Sequence, residues 1–291
     1  MKRKYTMIFV SVMSALLISF YAIGQTDTSY SHSHALWVQG GPYQLFARAF
    51  SSKTLSVHPI LVIVLHGDGP PPYEHPDYQY DFASKVAAMN QNVVAVGLLR
   101  PGYMDPDGNH SEGKSGERDG DNWNAQNTDA IANAIEKLKR RYKAEKVIVA
   151  GHSGGAVITA NILGRYPQLI DAALLVSCPC GDVNVWRESM FQLTHIPVFK
   201  GNIISLSPIT QIKSISNLVP IVMMTGTEDN VAPLRVAEQY QAAALKAGKN
   251  ITLIKLPGRP HNTFVYPKVF TELEEIIHIQ VMSKGGKYSG A

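Results

Sequence analysis

The sequence predicts an α/β domain: a mostly parallel, twisted sheet with helices on both faces and a small lid insertion. Short, continuous apolar runs such as Ile60–Leu65 (ILVIVL) read as strands buried on both faces. Helical patterns lie between these runs, as parallel crossovers require. The composition agrees, since 45 % hydrophobic and 17 % charged residues over 291 positions fill a large core and exclude a disordered chain.

The elements follow in order. Residues 36–57 are expected to add antiparallel strands at one edge. After the strand Ile60–Leu65 come a helix over Gln79–Met89 and a strand over Asn92–Gly97. The next helix, Asn127–Tyr142, is marked by Ile131, Ile135, Leu138 and Tyr142 at helical spacing. Val147–Ala150 is a strand and Gly155–Tyr166 a helix; Ala172–Ser177 and Ile221–Met224 are strands. Leu234–Ala247 is a helix that stops at Gly248, a residue suited to ending helices. Ile251–Leu256 is the last strand and Lys268–Met282 the last helix. Two segments stand outside this alternation. Pro101–Asp121 is a long Gly-rich, charged loop, and Cys178–Pro208 lacks a clear period. The second carries Trp186, Met190 and Phe191, and residues 178–208 are expected to form the lid.

The first residues read as a leader. Lys2-Arg3-Lys4 precedes an apolar run from Met7 to Ile23, and Ala22-Ile23-Gly24 ends it with small residues at the right spacing for cleavage. Residues 1–24 are therefore expected to be a signal peptide, with residues 25–291 an exported single domain. An uncleaved leader would be a membrane anchor. The net charge of +4 falls to about +1 without this segment, so it gives no reason to expect a nucleic-acid partner.

Two motifs compete for the chemistry. Gly108-Asn109-His110-Ser111-Glu112-Gly113-Lys114-Ser115 matches a phosphate-binding loop. Such a loop must leave a strand directly and open a helix. Here the strand ends about ten residues earlier, and Gly116 and Arg118-Asp119-Gly120-Asp121 follow, so no nucleotide is expected. Gly151-His152-Ser153-Gly154-Gly155 passes its own test. An apolar strand runs into Gly151 and a helical pattern follows Gly155, the strand–turn–helix of a nucleophile elbow.

A serine hydroxyl needs a base, and the base needs an orienting acid. Asp229 lies just past the strand Ile221–Met224, with Glu228 beside it as the rival acid. His261 lies past the strand Ile251–Leu256. Both positions are at strand C-terminal ends, where open α/β sheets place their sites. The oxyanion donors expected are the backbone N–H groups of Gly154 and of Asp68, with Gly69 as the alternative to Asp68. Tyr73, Tyr103 and Trp186 are candidate pocket residues, with Met190 and Phe191 as further ones; each is as compatible with packing.

No metal is expected. His32 and His34 lack a third ligand, and Asp105, Asp107 and Asn109 match a calcium loop only loosely. Cys178 and Cys180 are one residue apart, so two free or labile thiols are expected rather than a bridge.

Leu65-His66-Gly67, Arg100-Pro101-Gly102-Tyr103, the Ser153 motif, Gly226-Thr227-Glu228-Asp229 and His261 together resemble the α/β-hydrolase superfamily over about residues 58–282. Ser207-Pro208-Ile209, Val219-Pro220-Ile221 and the Asp229 segment are similar to the catalytic domain of prolyl-oligopeptidase-type enzymes and their esterase relatives. The resemblance implies the α/β-hydrolase fold and a cofactor-free serine hydrolase with an acyl-enzyme on Ser153. Its substrate is expected to be a small-molecule or peptide acyl compound. A carboxylic ester is the first expectation, a peptide the second, and a non-catalytic binding protein the rival.

Overall fold

The computed structural model describes residues 33–69, 75–116, 121–202 and 204–282. The expected leader over residues 1–24, His32, Tyr73 and Arg118-Asp119-Gly120 lie outside the described residues. Among the described residues no helix is long and apolar enough to cross a membrane.

Eight strands form one sheet: β1 (His34–Gly40), β2 (Tyr43–Ser51), β3 (Ile60–Leu65), β4 (Val93–Leu98), β5 (Lys146–His152), β6 (Ala172–Val176), β7 (Ile221–Gly226) and β8 (Ile251–Leu256). Their spatial order is β1-β2-β4-β3-β5-β6-β7-β8. β1 and β2 pair antiparallel, as does β2 with β4, and every other pair is parallel. Among the described residues five helices connect them, α1 (Tyr78–Met89), α2 (Ala125–Arg141), α3 (Gly154–Arg165), α4 (Val183–Thr194) and α5 (Leu234–Lys246), and α6 (Pro267–Met282) follows the last strand.

Side chains alternate across each strand, so one β3 run serves two cores. Leu61, Ile63 and Leu65 join the apolar cluster that holds Ile131 and Ile135 of α2, Val157 and Ile158 of α3 and Tyr240 of α5. On the other face, α1 and α6 meet through Phe82, which stacks on Phe270 at 4.4 Å and on Phe264 at 4.2 Å. Burial on both faces is why the central strands carry no polar alternation.

The chain reverses direction across the sheet at β3. β4 lies on one side of it and β5 on the other, so the crevice beyond their C-terminal ends opens between the loops after β3 and β5. Leu65 is level with Gly151, which sets the residues after β3 beside those after β5.

Several boundaries moved outward from the sequence reading. α2 begins earlier because the Asn124 side chain caps it, accepting from Asn127 N–H at 2.9 Å. α6 begins at Pro267, a residue suited to a first helical turn. Cys178–Pro208 contains α4, whose inner face is Val183, Trp186, Arg187 and Met190. That is helical spacing, hidden in the sequence because one inner position is an arginine. Arg187 is buried and meets the buried Asp121 at 2.6 Å. Burial pushes the Asp121 carboxyl above its ordinary range, opposed by Ser205 and Arg187.

Cys178 and Cys180 are not free: they form a disulfide, with both residues buried. The expectation failed because the chain turns sharply after β6, where Ser177 adopts φ +49°, and brings the two Cα atoms to 5.0 Å, within bridging range. Residues 108–115 form turns and an isolated bridge between Met104 and His110, and the next helix begins at Ala125. Asp105 is buried, and its carboxylate accepts from Asp107 N–H, Asn109 N–H and Nδ2, and the Tyr80 hydroxyl. Among the described residues no group of His, Cys, Asp or Glu is arranged to hold a metal ion.

Candidate active site

The turn from β5 into α3 carries Ser153 at φ 50°, ψ −118°, a conformation that costs a non-glycine residue about 1–3 kcal/mol. Its neighbours show how the turn is accommodated. A Cβ on Gly151 would meet the Ala156 backbone at 2.7 Å, and one on Gly155 would meet His66 O at 2.4 Å. The glycines are thus needed for close packing of strand and helix, and the strain falls on Ser153 alone.

Ser153 Oγ lies 3.0 Å from His261 Nε2. The other ring nitrogen, Nδ1, lies 2.9 Å and 3.0 Å from the two carboxylate oxygens of Asp229. Asp229 is held in turn, since its Oδ1 accepts from Val231 N–H at 3.0 Å and Ala232 N–H at 2.7 Å. Its side chain is fully buried, whereas that of His261 is 16 % exposed. The imidazole therefore bridges the serine hydroxyl on one side and a fixed, buried anion on the other. Such an arrangement places Nδ1–H toward Asp229 and leaves Nε2 to take a proton from the serine. Glu228, the rival acid, is exposed, and its N–H donates to Arg259 O away from this relay.

The loop bearing His261 is tied to the sheet interior. Ser177, directly after β6 and fully buried, donates its hydroxyl to His261 O at 2.7 Å and contacts Thr263 Oγ1 at 3.2 Å. Its own N–H donates to Met224 O of β7 at 2.8 Å.

Gly154 and Asp68 flank Ser153. Neither N–H donates to a described residue. The Asp68 carboxylate takes Arg100 Nη1 at 2.8 Å, the Tyr103 hydroxyl at 3.0 Å and Trp123 Nε1 at 2.8 Å. It lies so near the elbow that a Cβ on Gly154 would meet Asp68 Oδ2 at 2.3 Å. Tyr103 and Trp186, each 5 % exposed, stand behind the site rather than lining an open pocket. Tyr103 anchors Asp68. Trp186 donates to Val231 O at 2.8 Å and packs on Trp123 at 4.5 Å. Met190 is likewise buried in the core, and Phe191 is half-buried on α4. Trp123, Tyr78 and Ser177 had no sequence signal; only the fold brings them here.

Two buried histidines complete the surroundings. His66 accepts Arg100 N–H at Nε2 (2.9 Å) and faces Gly67 O with Nδ1 (2.7 Å), so Nδ1 carries the proton. Burial, reinforced by the Arg100 charge, holds its pKa well below the usual value. His152 meets the Tyr78 hydroxyl at Nδ1 (2.8 Å). Burial, and then His261 nearby, pull its pKa down to about 3.

The sheet order and the strand–turn–helix around Ser153 are those of the α/β-hydrolase fold. The family description "Serine aminopeptidase, S33" matches residues 104–201, which include Ser153. A probable chloroplastic glutamyl endopeptidase of Arabidopsis thaliana is 28 % identical over 178 residues, 57 % of this chain and 17 % of that protein. Among solved structures, an acylaminoacyl peptidase bound to a peptidyl chloromethyl ketone superposes with a TM-score of 0.64 at 17 % identity, over 84 % of this chain and 41 % of that one. A Pyrococcus furiosus esterase gives 0.63 at 14 % identity, over 86 % and 91 %. A proline iminopeptidase of Mycobacterium smegmatis gives 0.61 at 13 %, over 86 % and 100 %. The chain thus spans 17 % of the plant relative and 41 % of the acylaminoacyl peptidase. Its fold is the α/β-hydrolase fold that these structures share.

Proposed function

We propose that this protein is an exported serine hydrolase that cleaves a carboxylic ester through an acyl-enzyme on Ser153. The observation that carries this reading is the unbroken contact from Ser153 Oγ to His261 Nε2 and from Nδ1 to Asp229. Ser153 attacks the acyl carbonyl as His261 takes its proton. Asp229 holds the imidazole in its tautomer and stabilises the imidazolium. The Gly154 and Asp68 N–H groups take the charge that builds on the carbonyl oxygen. His261 returns the proton to the leaving alcohol, and water then clears the acyl group by the same steps in reverse. Export rests on the basic and apolar leader over residues 1–24.

The ester reading draws on the Pyrococcus furiosus esterase, matched over 86 % of this chain and 91 % of that one, and the proline iminopeptidase is matched as widely. A second reading, peptide cleavage, draws on the serine aminopeptidase match over residues 104–201. A fluorophosphonate probe tests the nucleophile: it is expected to label wild type and not Ser153→Ala. A panel of p-nitrophenyl esters and aminoacyl or prolyl anilides then separates the two readings. Faster turnover of anilides would move the assignment to the peptidase. No labelling of folded protein and no turnover of either would leave a binding protein.

A further inference from the structure

The oxyanion loop has a weakness built into it. Gly67 sits so close to the elbow that a Cβ there would meet Ser153 Cβ at 3.0 Å, His152 Nδ1 at 3.2 Å and the Tyr78 hydroxyl at 3.3 Å. A side chain there would press on all three, and glycine leaves the backbone on both sides free to turn. Yet the Asp68 N–H, the donor that the proposed reaction needs, belongs to the peptide directly after Gly67. A planar trans peptide points its N–H opposite to its carbonyl. Whatever holds the Gly67 peptides therefore aims the Asp68 N–H.

Two side chains hold them. His66 Nδ1–H binds Gly67 O at 2.7 Å and fixes the following peptide. The Tyr78 hydroxyl accepts Gly67 N–H at 2.5 Å and fixes the preceding one. Because that N–H can only donate, the Tyr78 proton is directed to the other neighbour, His152 Nδ1, at 2.8 Å. His152 directly precedes Ser153, so one hydroxyl on α1 joins the loop after β3 to the elbow after β5. Nothing in the proton relay of Ser153, His261 and Asp229 requires Tyr78.

We propose that Tyr78 is a positioning residue for the oxyanion site: strung between Gly67 N–H and His152 Nδ1, its hydroxyl fixes the loop so that the Asp68 N–H faces the oxygen of the tetrahedral intermediate. The assignment rests on the serine hydrolase reading. It predicts a defect felt in the transition state and not in substrate binding.

The test is Tyr78→Phe in the full chain, which removes one oxygen and keeps the ring against Phe264. Rates on p-nitrophenyl acetate and butyrate are divided by the folded, fluorophosphonate-titratable fraction. kcat is expected to fall about tenfold to a hundredfold, short of the loss from deleting an oxyanion donor outright, with KM unchanged. Affinity for an alkyl trifluoromethyl ketone, which forms an oxyanion adduct, should fall in proportion to kcat/KM. His152→Gln, which keeps an acceptor for the Tyr78 proton, should retain more of kcat than His152→Leu. An active wild type beside an equally active Tyr78→Phe overturns the proposal alone. So does a loss that vanishes on correction for folded fraction, or one carried by KM with ketone affinity intact. A wild type that neither turns over ester nor labels at Ser153 overturns the hydrolase reading and this proposal with it.

Discussion

Arg100 Nη1 lies 2.8 Å from Asp68 Oδ1, an ion pair whose guanidinium is fully buried while the carboxylate is 27 % exposed beside Ser153. The pairing resolves a conflict, because an unpaired carboxylate near a developing oxyanion would repel it. Arg100 also donates to His66 O through Nη1 and to Asn122 Oδ1 through Nη2, whereas its buried Nε has no partner among the described residues. Arg100→Met is expected to cost about 3–5 kcal/mol of stability, the usual loss when one partner of a buried pair is removed. Urea unfolding measures it. Arg100→Lys should recover only part, since an ammonium cannot reproduce the fork.

Ser153 separates activity from stability. Ser153→Ala should lower kcat/KM by at least about 10³-fold. Ser153→Gly should be equally inactive, yet more stable than Ser153→Ala by about 1–3 kcal/mol, because glycine adopts this turn without strain. Thermal melts of the three proteins decide it; equal stability of the two variants would mean that the turn is not strained.

The two carboxylates after β7 should behave differently. Asp229→Asn removes the anion that sets the His261 tautomer and should lower kcat by about 10⁴-fold. Glu228→Gln, at an exposed position, should stay within about twofold. Steady-state rates on one ester suffice.

Stability should decline as pH falls below about 6.5. His66 and His152 are held neutral in the folded protein but protonate once unfolded, so the unfolded chain binds more protons between their lowered pKa values and 6.5. Each adds up to about 1.4 kcal/mol of loss per pH unit in that window. The raised carboxyl of Asp121 acts in the opposite sense, but close to the ordinary carboxylate range. Urea midpoints at about pH 7 and about pH 5.5 should therefore converge in His152→Phe relative to wild type.

The Cys178–Cys180 bridge should be visible to chemistry. Denatured protein should take up no iodoacetamide until a reductant is added. The loop it closes is so short that replacing both residues by alanine should lose only about 1.5 kcal/mol from the bridge itself.

Much of this was legible in the sequence because continuous apolar runs report burial on both sheet faces and because elbow, acid and base each follow a strand. Ser153, Asp229 and His261 lie far apart in the chain, but each belongs to a recognisable strand end. The supporting residues had no such mark. Trp123 precedes a helix in a charged loop, Tyr78 opens a helix with no site signal, and Ser177 ends a strand. Their roles depend on which loops the sheet order places side by side. The disulfide was misread for a related reason: residue spacing says nothing about the turn at Ser177.

The sheet ends at β8, a half-exposed border strand with a neighbour on one side only, and His261 leaves from its tip. Border strands fray first. The Ser177 hydroxyl reaches past β7 to grip the His261 carbonyl, so the imidazole is moored to β6, two strands inward. Loosening of the rim need not set the base adrift.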